Sequence, residues 1–386
     1  MCYISYRIML NLFQFYKEKI DFPISCYTIQ SSFLFDRFFL SYYNDDSFLG
    51  GIQMKKRILT GLKPTGDLTL GNYIGSIKQI VKMQEEYDSF IFVADLHALT
   101  IPQDPYLLNE RIRKFIAMYI ACGVDPKKNT IYLQSENEYI PAMSYLLECT
   151  TSYGEASRMI QFKEKSKENA NFSVGLLTYP ILMAADILYC DTCYVPVGID
   201  QKQHVELARD IAERFNSRYG DTFILPEPLV SKSGTKIKDL KDPTKKMSKS
   251  EENPQGVISM FDSIEDIKKK IMRATTDSGS EVKFDEENKP GISNLLNITS
   301  ILSGLTIEEL EEKFKGSGYG EFKKYVAEVV SNHIGEIQKR YQELIHSSEL
   351  EKILDEGIKK SRELAKEKYE MMKEKMGVTR VIIKKQ

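Results

Sequence analysis

The sequence predicts an α/β protein in which a parallel-sheet domain precedes an all-α domain. Short apolar segments alternate with helical segments in the first part, and long charged amphipathic helices follow. The chain has 386 residues, more than most single domains, so two domains are the expected arrangement. We assign residues 54–252 to the sheet domain, residues 253–386 to the helical domain and residues 1–53 to an extension.

Residues 1–53 differ in composition from everything that follows. They hold 14 of the 41 Phe and Tyr residues, contain no alanine or valine, and show neither helical nor alternating apolar periodicity. We interpret them as disordered chain or as translated upstream sequence, with the true start at Met54. A genuine appendage that packs on the body or binds a partner is the alternative.

Four short apolar segments are predicted strands of one sheet. The first, Arg57–Thr60, ends at Gly61, and turn residues then lead into a helical pattern from about Tyr73. The other three segments are Ser89–Ala94, Thr130–Leu133 and Tyr194–Val197. Because helical segments separate the strands, we expect a parallel sheet of the nucleotide-binding type.

The region after about Asn253 is predicted to be helical. A capping box formed by Thr306 and Glu309 opens one of its helices. Lysine-rich segments such as residues 268–270 and 373–375 are interpreted as solvated helix faces, and contact with a nucleic acid is the alternative.

The composition is that of an ordinary globular protein, with 42% hydrophobic and 28% charged residues. The formal net charge of −2 argues against a uniformly basic nucleic-acid-binding surface but allows a local basic patch. No apolar run approaches the roughly 18 residues of a membrane span, so we expect a cytoplasmic protein without a membrane partner. Six irregularly spaced cysteines indicate reduced thiols, and Cys190 and Cys193 lack the second pair that a structural metal site would need.

A lysine-rich loop, Asp242–Ser250 (DPTKKMSKS), stands between the two predicted domains. Lys246 and Lys249, three residues apart, can close over a polyphosphate and offset the charge that builds up on the leaving group. An ordinary basic linker is the alternative, and a five-residue match also occurs by chance. The interpretation therefore depends on a second motif.

The second motif is Thr69–Asn72 (TLGN), which follows the first predicted strand and opens a helix. Main-chain N–H groups at a helix start bind anions, and Gly71 lets a nucleotide approach the backbone closely. Alone, this motif is only weak evidence for a nucleotide-binding site.

Together, Lys246–Ser250 (KMSKS) and Thr69–Asn72 resemble the two signatures of class I aminoacyl-tRNA synthetases, the second motif standing in place of HIGH. Further strings narrow the resemblance to the tryptophanyl-tRNA synthetase family, from about Lys56 nearly to the C-terminus. These strings are Gly66–Tyr73 (GDLTLGNY), Leu177–Pro180 (LTYP), Met183–Leu188 (MAADIL), Val195–Gly198 (VPVG), Asp200–His204 (DQKQH) and Pro290–Leu296 (PGISNLL). The chain also contains no tryptophan, which suits an enzyme that must be made when tryptophan is scarce.

The resemblance implies a Rossmann-like class I catalytic domain over residues 54–252 and a helical, anticodon-reading domain over residues 253–386. It implies activation of L-tryptophan with ATP and Mg²⁺, release of pyrophosphate, and transfer of tryptophan to the 3′ end of tRNA(Trp). The functional unit would be a homodimer.

The resemblance also implies site residues. The catalytic residues would be Lys246, Lys249, Lys165, Thr69 and Asn72. The ATP-binding residues would be Lys63, Gly71, Asn72, Gly198, Asp200, Gln201, Lys246, Met247, Ser248 and Lys249. The tryptophan-binding residues would be Asp186, Met183, Tyr179, Gln201, Leu59 and His97. Mg²⁺ would bridge phosphate oxygens and would not occupy a separate protein metal site.

These residue types suit the implied reaction. The carboxylate of the amino acid is already a nucleophile, so catalysis rests on its alignment with the α-phosphate and on charge neutralisation. Lysines 165, 246 and 249 would hold the pyrophosphate. Since Lys165 falls in an exposed helical pattern, an ordinary surface lysine is the alternative.

Asp186 is expected to select the amino acid. It is a lone carboxylate among apolar neighbours, and burying it is costly unless a donor pairs with it. The indole N–H of tryptophan is such a donor, and a pocket built on it would reject phenylalanine by roughly 10⁴ to 10⁵. Pairing with a backbone amide or an arginine is the alternative for Asp186. For Met183, expected against the indole, a role in the core is the alternative.

A tyrosyl-tRNA synthetase is the nearest alternative function, and a non-catalytic paralogue that binds tRNA or a metabolite is the next. The pyrophosphate lysines and Asp186 count against the paralogue. A generic nucleotidyltransferase would leave the helical region without a role. Two positions depart from the family pattern, since Lys63 stands where many members have glutamine and Leu59 where the residue is often aromatic.

Overall fold

A computed structural model describes residues 55–64, 66–168, 172–230, 236–247 and 254–380. The described residues form one compact unit. The predictions for residues 1–53 and for a start at Met54 concern positions outside the described residues and stay predictions.

The described residues contain a five-stranded parallel sheet in the order β3-β2-β1-β4-β5. Its strands are β1 Arg57–Leu62, β2 Asp88–Val93, β3 Asn129–Leu133, β4 Tyr194–Val197 and β5 Glu227–Val230. The four strands predicted from apolar segments are confirmed, and β5 is an addition. The strand order reverses between β1 and β4, where a sheet of this kind has its ligand crevice at the carboxyl ends of the strands.

Helices cover the sheet and connect its strands. In the first part of the chain they are α1 Leu70–Asn72, α2 Lys78–Met83, α3 Asp95–Ala98, α4 Pro105–Ala121, α5 Tyr139–Glu148, α6 Tyr153–Ser157, α7 Ile160–Glu168, α8 Val174–Leu188 and α9 Lys202–Tyr219. A π-helical segment, Tyr73–Ile77, joins α1 to α2, and 3₁₀ turns occupy Gln134–Glu136 and Ile199–Gln201. The helix predicted from about Tyr73 therefore begins earlier, because Thr69 caps it.

The C-terminal part is helical, as predicted. Its helices are α10 Ile264–Met272, α11 Pro290–Ser303, α12 Ile307–Lys313, α13 Tyr319–Ile345 and α14 Glu349–Met376. The predicted capping box is confirmed: Thr306 N donates to Glu309 Oε2 at 2.8 Å and Glu309 N donates to Thr306 Oγ1 at 3.2 Å.

The sheet separates two hydrophobic clusters, because successive residues of a strand point to opposite faces. Phe90 and Phe92 belong to one cluster, and Ile91 and Val93 belong to the other. Both faces of the central strands are thus buried, as expected for a parallel sheet between helices.

Both clusters also contain residues of the C-terminal helices. Leu295 of α11 and Phe322 of α13 join the cluster of Ile91, while Ile358 and Met372 of α14 join the cluster of Phe90. The described parts of the two predicted domains therefore share their cores. The boundary near residue 252 stays a prediction.

Helix α14 crosses β3, the edge strand of the sheet. A Cβ atom on Gly357 would lie 1.8 Å from the carbonyl oxygen of Ile131, so only glycine allows this approach. An edge strand covered by a helix does not offer its free backbone groups to another chain.

Candidate active site

Four of the predicted site residues lie at the carboxyl edge of the sheet. Lys63 follows β1, His97 lies on α3 after β2, and Gly198 follows β4. Since the strands are parallel, their carboxyl ends meet at one edge. Asp186 comes to this edge from α8, through its contact with His97.

The carboxylate of Asp186 is fully buried, with 0% of the residue exposed. His97 Nε2 lies 2.9 Å from its Oδ2, and Gln134 Nε2 donates to Oδ1 at 2.9 Å and to Oδ2 at 2.8 Å. Burial raises the pKa of the Asp186 carboxyl, while the contacts with His97 and Gln134 oppose that shift. The expectation that donors must accompany this buried carboxylate is confirmed.

Gln134 was not predicted as a site residue. It is the first residue after β3, a position from which a side chain reaches the ligand edge of a parallel sheet. That position was the available signal in the sequence. The donors to Asp186 are thus two side chains, His97 and Gln134, where the sequence had suggested a backbone amide or an arginine as the alternatives to indole.

A second carboxylate fixes the segments that carry these two donors. Asp95 Oδ1 accepts the backbone N–H of Leu96 at 3.0 Å, on α3, and that of Ser135 at 3.0 Å, beside Gln134. Asp95 therefore ties the His97 segment to the Gln134 segment.

Tyr179 lies at the centre of a polar cluster. Its hydroxyl donates to Gln161 Oε1 at 3.2 Å and is hydrogen-bonded to His204 Nε2 at 2.8 Å. The His97 ring meets the Tyr179 ring edge-on at 6.1 Å, and Lys165 Nζ lies 5.9 Å from the centre of the same ring. Burial raises the pKa of Tyr179 to about 12 and lowers that of His204 to about 4.

Two of the predicted cations, Lys63 and Lys165, influence each other electrostatically. Burial lowers the pKa of the Lys63 ammonium, and the charge of Lys165 lowers it further. An anion bound beside two such ammonium groups would offset their repulsion.

The TLGN motif forms a capping box of its own. Thr69 N donates to Asn72 Oδ1 at 3.1 Å, and Asn72 N donates to Thr69 Oγ1 at 3.1 Å. A Cβ atom on Gly71 would lie 3.2 Å from the carbonyl oxygen of Met247, which is completely buried. Gly71 thus gives room to the base of the KMSKS loop, and its contact with a nucleotide stays a prediction.

The start of the KMSKS motif is also fixed. Lys246 pairs with Lys238 in an isolated antiparallel bridge, and Met247 N donates to the carbonyl oxygen of Ile237 at 2.9 Å. The Lys246 side chain is exposed. Ser248 and Lys249 lie outside the described residues, so their assigned roles stay predictions.

The segment after β4 carries the remaining polar residues. Gln201 Nε2 donates to Asp200 Oδ2 at 3.0 Å, and a Cβ atom on Gly198 would lie 2.6 Å from Asp200 Oδ1. Asp200 thus contacts both neighbours, and its side chain is exposed toward solvent.

Two apolar residues of the predicted tryptophan site belong to the hydrophobic cluster of Phe90 or pack against it. Leu59 of β1 is buried in the cluster of Phe90, and Met183 of α8 packs against the same cluster while remaining partly exposed. Met183 therefore has both a core contact and an accessible surface.

The described residues contain no group of three or more His, Cys, Asp or Glu side chains that could hold a metal ion. Cys190 and Cys193 are buried free thiols, and Cys190 Sγ lies 3.1 Å from Thr192 Oγ1. None of the described helices has the length and apolar character needed to cross a membrane.

Comparison with known proteins identifies the family. Residues 53–335 match the family model of class I tRNA synthetases for W and Y. Over 327 residues the chain is 51% identical to the tryptophan–tRNA ligase of Bacillus subtilis, an overlap of 85% of this chain and 99% of that relative. The chain belongs to the tryptophan–tRNA ligase family.

Two other members of the tryptophan–tRNA ligase family are also similar to this chain. The ligase of Caldanaerobacter subterraneus subsp. tengcongensis is 50% identical over 84% of this chain and 98% of that relative. The crystal structure of tryptophanyl-tRNA synthetase from Campylobacter jejuni complexed with ADP and tryptophane is 39% identical, with a TM-score of 0.74 over 83% of this chain and 99% of that chain. The family and the fold predicted from the motifs are thus confirmed.

Proposed function

We propose that this chain joins L-tryptophan to ATP, forming tryptophanyl adenylate and pyrophosphate, and then transfers tryptophan to the 3′ end of tRNA(Trp). Membership of the tryptophan–tRNA ligase family supports the reaction. The observation that carries the substrate assignment is the buried Asp186 carboxylate, held by His97 and Gln134 at the ligand edge of the sheet.

We propose that Asp186 accepts the indole N–H. A carboxylate has about four acceptor positions, so the donors His97 and Gln134 leave room for one more. The phenyl ring of phenylalanine has no N–H, so it would leave the buried Asp186 carboxylate without that hydrogen-bond donor. The missing hydrogen bond costs binding free energy. Met183 and Leu59 would contact the apolar ring of tryptophan.

We propose that Tyr179 and Gln201 hold the amino group of tryptophan. The Tyr179 hydroxyl is fixed between Gln161 and His204, which supports a preset orientation. Because burial keeps the pKa of this hydroxyl well above neutral pH, Tyr179 stays protonated and its oxygen can accept from an ammonium group.

We propose that the ATP phosphates lie between the lysines and the start of α1. Lys63 and Lys165 repel each other, which favours an anion beside them, and Lys246 is exposed at the base of the KMSKS loop. The remaining members of this proposed ATP site are Thr69, Gly71, Asn72, Met247, Ser248, Lys249, Gly198, Asp200 and Gln201. Mg²⁺ bound with ATP would supply further charge neutralisation on the phosphate oxygens.

In this reaction the chain needs no nucleophile of its own. The tryptophan carboxylate attacks the α-phosphate, its bond to phosphorus forms as the bond to the pyrophosphate oxygen breaks, and lysines stabilise the charge on the departing group. The catalytic residues would be Lys246, Lys249 and Lys165, with Thr69 and Asn72 aligning the phosphates.

We propose that residues 253–386 bind the anticodon region of tRNA(Trp) and that the protein acts as a homodimer in the cytoplasm. Large exposed apolar side chains on α5 and α6, Tyr145 at 66% and Tyr153 at 75%, support a protein interface. The described cysteines are free thiols, which suits a reducing compartment.

The deciding experiment is amino-acid-dependent ATP–pyrophosphate exchange by the full chain and its Asp186→Asn variant. We expect exchange with tryptophan and none with tyrosine, and a kcat/KM for tryptophan that is about 10- to 100-fold lower in the variant, because hydrogen bonds to charged groups contribute about 1.5–3 kcal/mol. Asp210→Asn, at an exposed carboxylate on α9, serves as the control and should match the parent.

Exchange with tyrosine in place of tryptophan would overturn the substrate assignment. Folded protein without exchange on either amino acid would favour a non-catalytic, binding role. A parent-like Asp186→Asn variant would remove Asp186 from the proposed tryptophan site.

A further inference from the structure

One face of α14 is buried against the sheet where this helix crosses β3. Gly357 touches the backbone of Ile131 there, and Ser361 lies one helical turn later on the same face. Ser361 is 0% exposed. A helix in the last part of the chain therefore places a hydroxyl group inside the sheet domain.

The hydroxyl of Ser361 has two buried partners. Asn137 Nδ2 donates to Ser361 Oγ at 2.8 Å, and the hydroxyls of Tyr189 and Ser361 are hydrogen-bonded at 2.9 Å. Tyr189 also donates to the hydroxyl of Tyr132, on β3, at 2.9 Å. Each of these side chains is almost completely shielded from water, so losing one partner would leave the others without compensation.

Each of the two partners stands three residues after a group of the proposed tryptophan site. Asn137 follows Gln134, whose carbonyl oxygen accepts the Asn137 N–H at 3.1 Å. Asp186 lies on the last turn of α8, and Tyr189 is the residue that caps the C-terminal end of this helix. The Ser361 hydroxyl is thus hydrogen-bonded both to the segment that carries the donor Gln134 and to the residue that ends the helix of the acceptor Asp186.

We propose that Ser361 is a positioning residue for tryptophan recognition. By holding Asn137 and Tyr189 to one oxygen, it fixes Gln134 relative to Asp186, so that the carboxylate is oriented before tryptophan arrives. Selection of the amino acid then depends on how α14 is seated on the sheet. This inference rests on the proposed role of Asp186.

The test is Ser361→Ala in the full chain, measured by tryptophan-dependent ATP–pyrophosphate exchange. Alanine suits a helix interior, and the change removes one oxygen without adding volume. We expect the KM for tryptophan to rise about fivefold to tenfold, the range for one buried hydrogen-bonding group, with the KM for ATP and kcat within twofold. Discrimination between tryptophan and phenylalanine should fall by a similar factor.

Ser331→Ala is the matched control. Ser331 is also a buried serine in a long C-terminal helix, but its hydroxyl has no hydrogen-bond partner among the described residues. Its KM values should match the parent. Tyr189→Phe, which removes the α8 side of the same link, should raise the KM for tryptophan, and the double variant with Ser361→Ala should raise it by less than the product of the single effects.

An unchanged KM for tryptophan in Ser361→Ala overturns the inference, whatever happens to thermal stability. Equal rises in the KM values for tryptophan and ATP also overturn it, since they indicate a general structural effect. If Ser361→Ala does not fold, Tyr189→Phe decides by the same criteria. A lowered kcat/KM for tryptophan in Asp186→Asn together with a parental KM for tryptophan in Ser361→Ala would leave the proposed function standing and reject only this inference.

Discussion

The imidazole of His204 is buried. Its Nε2 is hydrogen-bonded to the Tyr179 hydroxyl, and its Nδ1 has no hydrogen-bond partner among the described residues. Burial is the main reason that its pKa falls from the ordinary 6.5 to about 4, and the nearby His97 and Lys165 contribute. Between those two pH values the unfolded chain binds a proton at this residue and the folded chain does not. The stability that the neutral form provides is present above pH 6.5 and is lost as the pH falls toward 4.

We expect His204→Gln to flatten the pH dependence of stability. The free energy of unfolding of the parent should fall relative to the variant by up to about 3 kcal/mol between pH 6.5 and pH 4, since each pKa unit corresponds to about 1.4 kcal/mol. Urea unfolding at several pH values measures this difference. The exposed His346→Gln is the control and should keep the parental slope; a parental slope in His204→Gln would contradict the prediction.

Single residues of the site were predictable from the sequence to different degrees. Asp186 could be found because a lone carboxylate in an apolar helix demands a partner. Gln134 was missed: its position directly after β3 was a signal, but a glutamine carries no sign of burial, and its contact with Asp186 depends on how β3 ends beside α8. The same holds for Ser361, which a sequence pattern cannot distinguish from any other helical serine.

At the scale of elements, apolar runs located four strands to within two residues. The fifth, Glu227–Val230, was missed because it is short, contains a proline and lies at the sheet edge, where alternation is weak. The π-helical turn at Tyr73–Ile77 was also unpredictable, since its residues fit an ordinary helical period.

The crossing of α14 over β3 predicts the effect of a single methyl group. In Gly357→Ala the new Cβ would meet backbone atoms of Ile131, which cannot move aside as a flexible side chain can. We expect a loss of about 2–3 kcal/mol in the free energy of unfolding, since overpacking exceeds the gain of up to about 1 kcal/mol from helix propensity. Chemical denaturation measures it.

Gly335→Ala in α13 is the control for that variant. Its added Cβ would lie 3.4 Å from Ile264 Cδ1, the end of a flexible side chain, so the variant should be neutral or stabilised by up to about 1 kcal/mol. Equal stability changes in the two variants would show that the Gly357 contact does not limit the packing of α14.

At the scale of the whole molecule, the two predicted domains share hydrophobic clusters. Leu70 and Met247 pack in the same cluster as Leu295 and Phe322, and α14 contributes to the cluster on the other face of the sheet. Motifs and periodicity predicted the family and the order of elements. They could not predict this sharing, because it depends on the return of the chain to the sheet after residue 348.

We therefore expect residues 54–252 alone to fail to form a native structure. Their truncation would expose the apolar surfaces that the C-terminal helices cover, which favours a loosely packed or aggregated state. Near-ultraviolet circular dichroism and cooperative urea unfolding, compared with residues 54–386, measure the outcome. A cooperative transition in the shorter fragment would instead support two independent domains.

The passage of α14 across β3 has a consequence for biosynthesis. A ribosome makes the chain from its N-terminus, so all five strands are available well before residues 357–372 emerge. Until then β3 keeps an uncovered edge and the cluster around Phe90 lacks its last members. The nascent sheet should be a client for chaperones, and completion of the fold should wait until α14 has been synthesised.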